Sequence, residues 1–114
     1  DMLTGGAGAD VFYFATPAGG GDRITDFVGG TDKIQVLSPN FASLPAGGLT
    51  STRFVSGANP TATGSDAVFL YNTTKGQLSF DANGAAAGGV TAIALLANRP
   101  ALSASDIQIV TSAP

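Results

Sequence analysis

Residues 5–10 read Gly-Gly-Ala-Gly-Ala-Asp, and glycine steps that end in aspartate return at 19–22 (GGGD) and 29–32 (GGTD). Aspartate is a short, hard oxygen donor suited to calcium. Glycine lets backbone carbonyls converge on an ion with no side chain in the way. All eight acidic residues are aspartate and none is glutamate. That bias fits oxygen ligation, and it equally fits acids that sit in turns and bond their own backbone. A phosphate-binding loop requires a lysine and a Ser or Thr after the glycines, then a helix. Here Asp10 and an apolar strand follow instead. A bare flexible turn is the remaining alternative for the stretch.

The spacing favours the cation. Gly-Gly-x-Gly-x-Asp with an apolar residue two places on is the nonapeptide of calcium-binding parallel β-rolls, and Phe12 fills the apolar slot. Asp1-Met2-Leu3-Thr4 fits the tail of a preceding copy, with Asp1 nine residues before Asp10. In such a repeat a loop leads into a short strand, and alternate loops stack on one side, with calcium held between them. The next aspartate expected on the side of Asp1 is Asp22, and on the side of Asp10 it is Asp32. The candidate ligands are thus the backbone of Gly5, Gly6, Ala7 and Gly8 and the carboxylates of Asp10, Asp22 and Asp32, with Asp1 and Asp26 beside them. Asp26 serves either as a second ligand or as an acceptor for a loop amide.

Strands must position these loops. "VFYF" (11–14), "RITDF" (23–27) and "KIQVL" (33–37) are rich in β-branched and aromatic residues. Residues 38–65 are irregular, with Pro39, Pro45 and Pro60, and a short helix fits 41–44. Residues 66–111 predict an antiparallel meander. "AVFLYN" (67–72) and "QLSFD" (77–81) flank the hairpin connection "TTKG", and "DANG" (81–84) turns the chain again. "VTAIALL" (90–96) and the alternating "DIQIV" (106–110) complete the set. Ser103 and Asp106 have the spacing of a helix cap. "DANG" is read as a turn, Phe69, Tyr71 and Phe80 as core, and "SGANPTATGSD" (56–66) as a solvated loop. The expectation is one all-β domain in which 1–37 end a calcium-binding parallel β-roll and 38–114 form an antiparallel, sandwich-like cap.

Composition narrows the function. With no histidine and no cysteine, the chain lacks the commonest general base and any thiolate nucleophile, so no enzyme is expected. A formal charge of −3 argues against nucleic acid and anionic membranes as partners. No apolar run is long enough to span a bilayer. No signal peptide opens the chain, and the initial Asp1 suggests a piece of a longer protein.

"DMLTGGAGADVFYF" followed by D-x-I-x-D-F-x-x-G-x-D-x-I at 22–34 resembles the C-terminal end of RTX proteins, the hemolysin-type calcium-binding proteins exported by type I secretion. The second part looks like the cap after the last repeat in serralysin-type proteases, and "FLYNTTKGQLSFDANGAAAGGVTAIALL" with "LSASDIQIV" is similar to the ends of many such exoproteins. The zinc protease motif is absent, only one full repeat is present, and the step from Asp10 to Asp22 is shorter than in the serralysin group. The resemblance implies a module with Ca2+ as its cofactor, secreted to the exterior or cell surface of a Gram-negative-type bacterium. Its implied partners are the type I secretion machinery, which takes the unfolded form, and an upstream domain of the same exoprotein. Calcium would fold the module outside the cell, and the C-terminal region would carry the export signal. The alternative is a calcium-dependent adhesive domain that takes an extracellular glycan on its sandwich surface.

Overall fold

A computed structural model describes residues 2–15, 22–41, 44–58, 60–62, 64, 67–84 and 89–111. The described residues form strands joined by turns and three single turns of 3-10 helix. The strands are β1 (Met2–Leu3), β2 (Val11–Phe14), β3 (Asp22–Ile24), β4 (Lys33–Leu37), β5 (Gly47–Gly48), β6 (Phe54–Gly57), β7 (Val68–Asn72), β8 (Gln77–Asp81), β9 (Val90–Leu96) and β10 (Ile107–Val110). They make a six-stranded sheet in the order β1-β3-β9-β8-β7-β6 and a four-stranded sheet in the order β2-β4-β10-β5.

The topology contains a coil of three turns. β1 and β2, β3 and β4, and β9 and β10 each place their first strand in the larger sheet and their second in the smaller one. Within each sheet these strands are parallel neighbours: β1 with β3, β3 with β9, β2 with β4, and β4 with β10. The turn-to-turn bonds repeat as well. Thr25 N donates to Leu3 O at 3.0 Å, and Ala97 N donates to Ile24 O at 2.8 Å. The chain thus completes two turns, leaves to build β5 to β8, and returns to add a third.

Alternation supplies the core. Phe12, Ile34 and Ile107 form one in-register row across the smaller sheet, and Phe14, Val36 and Ile109 form the next. All six are buried. The opposite face of β2, β4 and β10 carries Tyr13, Gln35 and Gln108 in register. The Gln35 amide Nε2 donates to Gln108 Oε1 at 3.0 Å. From the larger sheet come Ile24, Leu96, Ala94, Leu78, Tyr71, Phe69 and Phe80, which join the same hydrophobic cluster. Phe69 and Phe80 are cross-strand partners with ring centroids 4.9 Å apart, and Phe41 closes over Phe80 at 5.1 Å. Aromatic pairs at such distances add to simple area burial.

Several sequence expectations hold residue for residue, and others need correction. β2, β4, β8 and β9 have the predicted bounds. β3 stops at Ile24, so Asp26 lies in the following loop and not in a strand. The C-terminal region is not a simple antiparallel meander. β7, β8 and β9 are antiparallel neighbours, but β6 runs parallel to β7, β9 parallel to β3, and β10 parallel to β4 in the other sheet. In the segment expected to be irregular, β5 and β6 form. Near the expected short helix, the 3-10 turn falls at Ser38–Asn40 with Pro39 at its start, while Ala42 and Ser43 lie outside the described residues. β9 also carries a bulge. Leu78 pairs with Ala94 and Ser79 with Ala92, so Ile93 is the extra residue, and both Ile93 and Ala94 are buried.

Candidate functional site: three stacked aspartate loops

The three coil turns carry their connecting loops, 4–10, 25–32 and 97–106, between a strand of the larger sheet and a strand of the smaller one. Each loop ends in an aspartate directly ahead of a strand: Asp10 before β2, Asp32 before β4, Asp106 before β10. Because β2, β4 and β10 are parallel neighbours, these aspartates form a row along one end of the smaller sheet.

Two members of the row clip one turn to the next. Asp32 Oδ1 accepts the Asp10 amide at 2.9 Å from the first turn, and its Oδ2 accepts the Val28 amide at 2.9 Å from its own. Asp106 repeats the arrangement one turn on. Its Oδ1 accepts the Gly30 amide at 2.9 Å, and its Oδ2 accepts the Ser103 amide at 3.0 Å. Asp32 is 1% exposed and Asp106 2%. A buried carboxylate is tolerated where amides satisfy both oxygens, and these bonds are charge-assisted.

Asp10 differs. Its carboxylate folds back over its own loop, and Oδ2 is buried with no hydrogen-bond partner. It lies so close to Gly5 that a Cβ there would overlap it. Gly6 and Gly8 have φ of +82° and +87°, the left-handed region that glycine reaches without strain. The loop is gripped from the second turn by Asp26, whose Oδ1 and Oδ2 accept the Gly5 and Gly6 amides at 2.9 and 2.8 Å. Those two amides hold the Asp26 carboxyl below the usual carboxylate range. Thr4 and Thr25 join the same two loops through their hydroxyls at 2.6 Å. Of the two roles open to Asp26, the observed contacts are those of an acceptor for loop amides.

The comparisons with known proteins add no relative. No protein-family model, curated protein or solved structure matches the chain.

Of the nine sequence candidates, Gly5, Gly6, Ala7, Gly8 and Asp10 share one loop, and Asp26 and Asp32 lie against it through backbone amides. Asp22 begins β3 opposite Ala94 of β9, and Asp1 lies outside the described residues, as do the glycines of the 19–22 step. Among the described residues, no three acidic side chains form a group able to hold a metal ion. A cation at the 5–10 loop would draw on backbone carbonyls together with Asp10. Asp106 was not among the candidates. Its Ser-x-x-Asp spacing predicts a helix cap, which Asp106 forms by accepting the Ser103 amide at the 3-10 turn; the bond to Gly30 has no signal in the spacing. Among the described residues no helix is long and apolar enough to cross a membrane.

Proposed function

We propose that the chain is a non-enzymatic calcium-binding module, the C-terminal part of a larger exoprotein, whose folding is driven by calcium outside the cell. The observation that carries the reading is Asp10 Oδ2, a buried oxygen over Gly5 with no hydrogen-bond partner on a half-buried residue. An unpaired buried carboxylate oxygen is costly. A hard cation held by that oxygen and by neighbouring carbonyls relieves the cost. The donor set is all oxygen, as calcium prefers. Asp10 and the backbone of Gly5, Gly6, Ala7 and Gly8 would hold the ion. Asp26 and Asp32 would hold the loop in place through the Gly5, Gly6 and Asp10 amides.

The energetic case is one of linkage. A ligand present at about a hundredfold over its Kd stabilises a fold by roughly 2.7 kcal/mol. One such site decides the folding of a chain that is marginal without it. Sixteen glycines in 114 residues raise the entropy to be overcome on folding. In low cytosolic calcium the loops stay open and the chain passes a type I export channel, with the C-terminal region as its signal. In millimolar external calcium the loops close. The test is far-ultraviolet circular dichroism with thermal melts across a calcium titration, reversed by chelator. Structure and Tm rise with calcium and fall on chelation. A melt indifferent to calcium overturns the reading.

A further inference from the structure

The row of loop-ending aspartates has an internal logic beyond calcium. Asp106 ends the 3-10 turn directly ahead of the last strand of the described chain, yet it bonds Gly30, 76 residues earlier. Gly30 lies in the same short loop as Val28 and Asp32. That loop is closed on itself by Asp32 N to Val28 O at 2.8 Å and by Val28 N to Asp32 Oδ2 at 2.9 Å. It also reaches toward the first turn, where Asp32 Oδ1 accepts the Asp10 amide. On the far side Gly29 approaches the Ala101 carbonyl so closely that a Cβ would overlap it.

We infer that Asp106 is a positioning residue for the 5–10 loop, acting through the 28–32 loop and Asp32. Asp106 seats the 28–32 loop by holding Gly30. The seated loop fixes Asp32, and Asp32 fixes the amide of Asp10, the residue whose Oδ2 has no partner. Asp106 contacts the 28–32 loop and its own turn, through the Gly30 and Ser103 amides, and not the 5–10 loop. Asp106 and Asp32 are buried and their bonds are partly shielded from water, so solvent replaces a lost one only in part. The consequence is that the C-terminal strand tunes the cation loop two turns away. Both ends of the chain must be in place for the loop to be shaped. This inference rests on the calcium reading for its ligand and on the hydrogen-bond chain for its route.

The test is isothermal titration of calcium chloride into chelator-stripped full chain. Asp106→Asn is compared with Gly29→Ala, which pries the same two loops apart, and with Gln108→Ala. Gln108 sits two residues on, in β10, and its amide bonds Gln35 on the outward face of the sheet. Asp106→Asn and Gly29→Ala weaken calcium binding about 3- to 10-fold at unchanged stoichiometry, the scale of part of one charge-assisted bond. Gln108→Ala leaves affinity within about twofold. Wild-type affinity in Asp106→Asn overturns the inference. So does an Asp106→Asn chain that stays unfolded at saturating calcium, since the role is then purely structural. If the wild-type chain is folded and ignores calcium, the calcium reading fails alone. Hydrogen exchange at the Asp10 amide then decides: faster exchange in Asp106→Asn sustains the positioning role, and unchanged exchange ends it.

Discussion

The Asp10 amide donates to Asp32 Oδ1 at 2.9 Å, although the two residues are 22 apart in sequence. The bond crosses from the first coil turn to the second, beside the parallel pairing of β2 with β4. It makes the candidate cation loop and the next loop a single unit. Asp32 is buried there between two amides. Replacing it with Ala strands both donors. The expected loss is about 2–3 kcal/mol, from charge-assisted bonds removed at a buried site. Urea denaturation at saturating calcium measures it, and a loss under half a kcal/mol would show that the clip contributes little.

The glycines of the 5–10 loop should respond unequally to alanine. At Gly5 a Cβ meets the Asp10 carboxylate, so Gly5→Ala must displace the proposed ligand. Gly8 has open space around it and a φ of +87°. Gly8→Ala therefore adds backbone strain of about 1–2 kcal/mol without blocking the site. Under the calcium reading, Gly5→Ala abolishes the calcium-induced rise in Tm. Gly8→Ala lowers Tm but keeps the increment. Equal loss of the increment in both variants would argue against a side-chain cradle at Gly5.

Asp26 gives the loop a defined response to acid. The Gly5 and Gly6 amides lower its carboxyl below the ordinary value in the folded state. A depressed folded pKa means stability that is fully present above the unfolded value, about 3.9 for aspartate, and is lost as pH falls through the folded one. NMR titration of the side-chain carboxyl should place Asp26 below an unstructured aspartate. Asp26→Asn should remove its share of the acid-side loss of stability. An Asp26 that titrates at or above the ordinary value would contradict the bidentate grip.

Local chemistry made much of the fold legible. "VFYF", "KIQVL", "QLSFD" and "VTAIALL" became strands with the bounds their β-branched and aromatic residues suggest. Period-two alternation correctly placed Ile107 and Ile109 inward and Gln108 outward. Gly47–Gly48 gave no such signal. Those residues are a strand only because they pair with Gln108 and Ile109. β6 was hidden for a related reason, since "FVSG" is short and its partner β7 lies beyond a loop. Ile24 and Thr25 are β-branched and Phe27 is aromatic, so "RITDF" predicts a strand through 27, while in the fold β3 stops at Ile24 and the Asp26 carboxylate holds a loop.

The candidate site divides along the same line. The glycine–aspartate spacing by itself determined that 5–10 is a glycine-shaped loop ending in one carboxylate, and that Asp10 and Asp32 sit one turn apart, because those follow from repeat length and residue type. Periodicity says which face of a strand is buried; it does not say which strand lies beside it. That β10 returns to sit parallel to β4, and so brings Asp106 onto Gly30 as the third member of the row, was decided by tertiary structure alone. The physical reason is that a parallel neighbour 73 residues away is chosen by core burial of Ile107 and Ile109 against Ile34 and Val36, an energy that exists only once both sheets have formed.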